Sequence, residues 1–158
     1  MPDDQRPRIA EFKRPKFTGR GGGPTFVMLR HDMVRSREWQ ALSGNAVKLA
    51  IHLAQQYNGS NNGDLSMSKA DLIDAGWNSH TTALKARDEL VEAGFVVITR
   101  HGYKRVCNLY AVTWFAIDDC PEKRLEMAPT TRAPDYWKNR VLTPDSGNVA
   151  PVSGAKAA

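Results

Sequence analysis

Cysteine is scarce in this sequence, and its two copies, Cys107 and Cys120, form no C-x-x-C pair. Two thiols cannot build a disulfide framework, and neither lies at zinc-ligand spacing from any of the four histidines. His52, alone on an apolar stretch, is better interpreted as a satisfied or edge histidine than as a ligand. We therefore expect reduced thiols, as in a cytoplasmic protein, and neither a structural metal nor a cofactor.

Long apolar runs are also absent. The N-terminal residues are polar and charged and lack the apolar region of a secretory signal. No apolar run approaches the ~18 residues that a membrane-spanning helix requires. We expect neither secretion nor membrane insertion.

Signatures of catalysis are missing as well. The sequence has no nucleophile elbow, no paired-carboxylate setting and no recognisable Ser/His/Asp motif. The run Gly21-Gly22-Gly23-Pro24 follows no predicted strand and matches no phosphate-binding loop, so we interpret it as a hinge. A non-enzymatic protein is expected.

What the sequence does contain is a moderate excess of positive charge. Its 158 residues, 41% of them hydrophobic, suit one domain with tails. The formal charge of +5 favours a nucleic acid or another anionic partner. Because 22 basic residues face 17 acidic ones, the placement of the charges matters more than their total.

Residues 1–24 are rich in basic residues and proline and hold too little apolar area to offset their ordering entropy. We predict a flexible basic arm. One interpretation is an arm that follows DNA phosphates or enters the minor groove, and the other is a solubilising tail without a partner. The contacts under the first interpretation are Lys13, Arg14, Lys16 and Arg20.

The clearest local pattern lies in residues 78–95. Ser79 can cap a helix by accepting a hydrogen bond from a first-turn amide, and Gly94 suits the left-handed residue that often follows a helix. These signals predict a helix over residues 80–93. At ~100° per residue, its packed side is expected to hold Ala83, Leu84, Arg87, Leu90 and Val91.

The outward side of this predicted helix changes character along its length. Its last turns are acidic, through Asp88, Glu89 and Glu92. Its first turns are neutral or basic, and the residues there are Asn78, Ser79, His80, Thr81, Thr82 and Lys85. Only this N-terminal half suits DNA, and in a helix-turn-helix the same half of the second helix reaches base edges. The alternative is an ordinary solvated helix face.

Further elements are expected upstream. The patterns predict a helix near residues 32–41, a buried helix over 46–57 and a short strand over 65–67. Ser68 then opens a helix with a capping-box pattern that stops at Gly76. Only Gly76, Trp77 and Asn78 separate this helix from the next, which is the short, glycine-containing turn of a helix-turn-helix.

A β-hairpin is expected downstream. Residues 95–99 and 106–115 are rich in β-branched and aromatic side chains, and a basic turn separates them. The hairpin tip is predicted to place Arg100, Lys104 and Arg105 on phosphates beside the groove. The alternative is a solvated hairpin loop.

The C-terminal residues 119–158 lose this periodicity, and we predict a largely disordered tail. Within it, residues 133–142 concentrate the aromatic pair Tyr136-Trp137 and two aliphatic residues. This segment is interpreted either as a docking motif for a protein partner or as a segment that folds back onto the domain.

The order helix, short strand, helix, turn, helix and hairpin over residues 25–118 resembles the winged helix-turn-helix of bacterial regulators and of small DNA-binding or replication-associated proteins of phages and plasmids. Residues 39–43, 57–65, 79–95 and 109–114 carry the resemblance. It implies an α+β fold with a three-helix core and a β-hairpin wing.

For function, the resemblance implies sequence-specific binding of double-stranded DNA, as in a transcriptional regulator or a replication accessory factor. Ser79, His80, Thr82 and Lys85 match positions at which such helices meet the major groove. The resemblance also allows a homodimer that reads two half-sites.

Two positions depart from the family pattern, which usually has an aliphatic residue at Arg87 and a polar one at Leu84. Arg87 can bury its stem and pair with a carboxylate, and Leu84 can touch a thymine methyl or a partner surface.

A second hypothesis keeps the scaffold but uses it, with the C-terminal tail, to dock on a replication or host-defence protein.

Overall fold

The computed structural model describes residues 25–139 and shows an α+β fold. Five α-helices are present in this range: α1 (His31–Val34), α2 (Arg37–Gln40), α3 (Gly44–Gln55), α4 (Lys69–Asp74) and α5 (His80–Glu92). The strands are β1 (Leu65–Ser66), β2 (Val96–Arg100) and β3 (Leu109–Val112), which form an antiparallel sheet in the order β1-β3-β2. Short 3-10 helices follow at Pro121–Lys123 and Tyr136–Asn139. This arrangement is compatible with the predicted winged helix.

Serine side chains start four of the helices. Ser36, Ser43, Ser68 and Ser79 each accept a hydrogen bond from the amide three residues ahead, at 3.2 to 3.3 Å. At α4 the Asp71 carboxylate also accepts from the Ser68 amide, which completes the predicted capping box. Each such cap contributes about 1 kcal/mol. The predicted serine caps of α4 and α5 are thereby confirmed, whereas α3 spans Gly44–Gln55 and so begins and ends two residues before the predicted helix over 46–57.

The single helix predicted near residues 32–41 is wrong, because Ser36 divides this stretch into α1 and α2. Its backbone is extended, with ψ at 152°. Its hydroxyl donates to the Met33 carbonyl at 2.7 Å and accepts from the Trp39 amide, so it ends one turn and starts the next.

The core forms where α3 packs on α5 and on the sheet. Leu49 and Leu53 of α3 are fully buried. On α5 the buried residues are Ala83, Ala86 and Leu90, whereas Leu84, Arg87 and Val91 are only half-buried. The packed side of α5 therefore differs from the predicted one, because it includes Ala86 and buries Leu84, Arg87 and Val91 only partly. The small alanine side chains let the two helices approach closely.

Asn62 is a buried polar residue that ties the loop before β1 to the end of β3. Its side chain accepts from the Val112 amide at 2.8 Å and donates to the carbonyls of Val112 and Ala116 at 2.9 and 2.7 Å. The turn-forming sequence around Asn62 therefore contributes a structural crosslink as well as a change of direction.

Residues 119–139 pack on the domain, and this segment is called the strap. Trp137 is 4% exposed, and its ring stacks on Phe95 with the centroids 5.8 Å apart. Asp135 accepts hydrogen bonds from Arg30 at 2.8 and 3.0 Å. The prediction of a largely disordered tail is therefore wrong for residues 119–139. The fold-back alternative is the one observed for residues 133–139. Trp137 buries its apolar surface against Phe95, which is distant along the chain.

Three predicted regions lie outside the described residues: the basic arm 1–24, the end of the docking segment and the remaining tail from residue 140. Within residues 25–139, no helix combines the length and apolar character needed to span a bilayer.

Candidate nucleic-acid interface

The turn between α4 and α5 is a tight glycine-dependent helix ending. Gly76 has φ of +71°, a left-handed conformation that glycine adopts without strain. The Gly76 amide donates to the Ile73 carbonyl and the Trp77 amide to the Leu72 carbonyl, each at 2.9 Å. This is the Schellman pattern, which ends α4 and redirects the chain so that Ser79 can start α5.

The structure leaves most of the predicted residues on the first turns of α5 open to solvent. Asn78, Ser79, His80, Thr81 and Lys85 are exposed, and Thr82 is half-buried. No Asp or Glu occurs from residue 78 to residue 87. This part of α5 therefore presents donors and a cation without neighbouring acids on the same helix.

The acidic residues of α5 are partly engaged within the domain. Glu89, predicted to face outward, accepts hydrogen bonds from the Ser43 amide and hydroxyl, both at 2.6 Å. A carboxylate at the N-terminus of α3 is also favoured by the helix dipole. Asp88 pairs with Arg87 at 2.6 Å, which is the carboxylate pairing expected for that arginine.

The loop between β2 and β3, residues 101–108, is called the tip loop, and it carries two of the three predicted cations of the hairpin. Lys104 and Arg105 are exposed. Arg100, at the end of β2, is half-buried, and its guanidinium donates to the carbonyls of Lys123 and Cys107 at 2.8 and 3.2 Å. Arg100 therefore holds the base of the loop on the strap instead of extending from the tip.

A chain of polar contacts connects the tip loop to α5. Asn108 accepts a hydrogen bond from the Gly102 amide and donates to the Tyr110 hydroxyl at 3.3 Å. The Arg87 guanidinium lies beside the same hydroxyl. Burial lowers the pKa of Arg87, but the Tyr110 hydroxyl and Asp88 raise it, and the net result is a raised pKa. The loop base is thus coupled to the middle of α5.

The other side of the tip loop is held by the strap. Glu126 accepts from the His101 amide at 3.0 Å and pairs with the His101 ring at 2.7 Å. These hydrogen bonds from His101 lower the pKa of Glu126. The sequence offered no signal for this pairing, since the two residues are distant along the chain.

The described structure therefore offers two candidate contact surfaces, the exposed first turns of α5 and the exposed tip loop, and the contacts of Asn108 and Tyr110 link the loop to Arg87 in the middle of α5. The predicted arm contacts Lys13, Arg14, Lys16 and Arg20 lie outside the described residues. Among residues 25–139, no group of three or more His, Cys, Asp or Glu side chains is placed to hold a metal ion.

Comparison with protein-family models gives no match. Searches of curated proteins and of solved structures give none either.

Proposed function

We propose that this chain is a non-enzymatic, double-stranded DNA-binding protein with a winged helix-turn-helix fold. In this proposal α4 and α5 form the helix-turn-helix, and the tip loop is the wing. The biological setting that we propose is transcriptional regulation or replication of a mobile element such as a phage or plasmid.

The observation that carries the proposal is the exposed, acid-free N-terminal half of α5. Asn78, Ser79, His80 and Thr81 offer short polar groups that suit base edges, and Lys85 adds a cation one turn further on. The Schellman turn at Gly76 and the serine cap at Ser79 make this end of the helix a defined surface rather than a frayed one.

The tip loop supports the proposal through its charge and its bracing. Lys104 and Arg105 are exposed, and no acidic residue occurs in residues 101–108. The contacts of Arg100, His101 and Asn108 hold both ends of the loop, so less entropy is lost when its tip meets a phosphate backbone. In this role Arg100 positions the loop and does not contact the phosphate.

The competing protein-docking hypothesis depends on the Tyr136-Trp137 motif, which is largely packed against the domain. Trp137 is buried against Phe95, and Asp135 is engaged by Arg30 and Lys138. Tyr136 is 40% exposed, so only a part of the aromatic pair is accessible to a protein partner. We therefore favour DNA over a protein partner for this domain.

The experiment is a titration of the full chain with random and genomic duplexes over a range of salt concentrations. The double variant Lys85→Ala/Arg105→Ala is expected to bind roughly 100-fold more weakly, since each cation contributes to phosphate or base-edge contact. Arg132→Ala/Lys138→Ala is the matched control, because it removes the same charge from exposed positions on the strap. It should bind like the unmodified protein.

Two results would contradict the proposal. One is an unmodified protein without detectable duplex affinity at low salt. The other is an equal loss of affinity in both double variants, which would indicate a general dependence on net charge and not a surface at α5 and the tip loop.

A further inference from the structure

An open depression of about 190 Å³ lies where the start of α3 meets the start of α5. Its lining includes two residues of α3, Asn45 and Lys48, which the sequence did not single out. The remaining lining comes from the turn and from α5, through Trp77, Asn78, Ser79 and Thr82. The residues that line this depression include donors and one cation and no carboxylate.

The depression borders the N-terminus of a 13-residue helix. The Thr82 amide donates to the Ser79 hydroxyl and the Ala83 amide to the Ser79 carbonyl, at 3.3 and 3.2 Å. Within residues 25–139 the amides of His80 and Thr81 have no acceptor. This end of α5 therefore carries the positive part of the helix dipole together with open donors.

Trp77 provides an independent indication of a ligand. Its side chain lines the depression and is 92% buried, since the residue is 8% exposed. The indole Nε1–H has no acceptor among the described residues, which is also true of Trp114 and Trp137, but of the three only Trp77 lines the depression. A buried donor that finds no acceptor destabilises the folded state. An oxygen-rich ligand that reaches Nε1 would supply the missing acceptor.

Lys48 is placed to supply the charge. Its ammonium lies 4.8 Å from the centre of the Trp77 ring and donates to the Gly76 carbonyl at 3.0 Å. An ammonium has three donors, so two remain for a ligand while this bond is kept. The ammonium therefore lies beside both the indole ring and the turn at Gly76.

We propose that this depression binds one phosphate group, with Lys48 as the cation and Trp77, Asn45 and Thr82 as hydrogen-bond donors. A phosphate has the tetrahedral set of acceptor oxygens that converging donors and a helix N-terminus bind well. That the phosphate belongs to a duplex backbone rests on the proposed function. A free phosphate is the other source of the same chemistry.

The first measurement compares duplex affinity across salt concentrations for the unmodified chain, Lys48→Gln and Lys138→Gln. Lys48→Gln should bind roughly tenfold more weakly, and its log–log salt dependence should be shallower by about 0.9, which corresponds to one lost phosphate contact. Lys138→Gln loses the same charge on the strap and should keep both values. Duplex binding that is unchanged in Lys48→Gln would overturn the duplex backbone as the source of the phosphate and leave the proposed function standing.

The second measurement does not depend on DNA. Inorganic phosphate is titrated into the 15N-labelled full chain, and the indole resonances are followed, with Trp77→Phe used to assign the Trp77 signal. The Trp77 indole should shift with saturation in the unmodified chain and in Lys138→Gln, and the shift should be lost in Lys48→Gln. A protein that fails to bind duplex but shows this pattern would retain the phosphate site while the proposed function fails. Absence of the shift, together with absence of duplex binding, would overturn the site.

Discussion

The two ends of α5 differ in nearly every contact that they make. At the first turns, short polar side chains are exposed and two backbone amides lack an acceptor within residues 25–139. At the last turns, Glu89 binds the start of α3, and Gly94 lies directly under the backbone of Trp137. One end is open and rich in donors, while the other is anchored in the domain.

This difference suggests that the first turns of α5 serve binding and the last turns serve stability. A polar group that is already fully paired within the domain is less available to a ligand, so a surface that binds one keeps most of its polar groups open. The anchoring is therefore concentrated at the far end, where the strap covers Phe95 and the helix termination. Variants at the anchored end should change stability, and variants at the open end should change binding.

The largest expected effect on stability is that of Trp137→Ala. Its side chain is buried and stacked on Phe95, so truncation removes apolar burial and leaves a cavity beside the end of α5. We expect a loss of about 3–5 kcal/mol in the free energy of unfolding, measured by urea denaturation. Tyr136→Ala is the matched control, because its side chain is 40% exposed, and it should cost much less.

Duplex affinity of Trp137→Ala, measured well below its unfolding midpoint, should stay close to that of the unmodified chain. A small stability loss in Trp137→Ala, or an equal loss in Tyr136→Ala, would show that the strap does not anchor this end of α5. A selective loss of affinity would instead connect the strap to the binding surface.

A smaller difference is expected between two glycines that end helices in the same way. Gly76 and Gly94 have φ of +71° and +82°, and both follow the Schellman pattern. A Cβ at Gly76 would meet nothing within 4 Å, whereas at Gly94 it would lie 2.9 Å from the Trp137 amide nitrogen. Gly76→Ala should cost about 1 kcal/mol through the backbone alone. Gly94→Ala should cost roughly 3 kcal/mol, because the strap must also shift.

Thermal and urea unfolding of the two alanine variants provide this comparison. Equal destabilisation would mean that only the left-handed backbone matters and that the strap yields without cost. The double variant Gly94→Ala/Trp137→Ala sharpens the result, because part of the Gly94 penalty should disappear when the stacked indole is already lost.

The open end of α5 was predictable from sequence because its determinants are local. Ser79, Gly76 and Gly94 act within a few residues, and they predicted the bounds of α5 to within one residue. The capping box at Ser68 is equally local. The break at Ser36 was missed even though its determinant is also local, because the apolar spacing through residues 32–41 suits one continuous helix.

The anchored end was not predictable in the same way. The burial of Trp137 depends on Phe95, and the engagement of Arg100 depends on the Lys123 carbonyl, both of which are brought close by the folded chain. At a hairpin end, no local sequence feature distinguishes a basic residue that contacts phosphate from one that forms hydrogen bonds within the domain. Likewise, Lys48 reaches the start of α5 only through the packing of α3, so its place in the depression had no sequence signal.

The smallest expected effect concerns the charged cluster that holds the strap to the start of the domain. Asp32 pairs with Arg30 and Lys138, and the hydrogen bond from Arg30 is the main reason why its pKa falls from 3.8 to about 2. A carboxylate with a lower pKa in the folded state stabilises that state above its unfolded pKa. This contribution is lost as the pH falls from about 4 towards 2. Asp32→Asn should therefore show a slightly shallower loss of stability over this range than the unmodified chain. Because Asp32 is exposed, the difference should shrink further at high salt, and identical acid profiles would show that the Asp32 carboxylate contributes no pH-dependent stability.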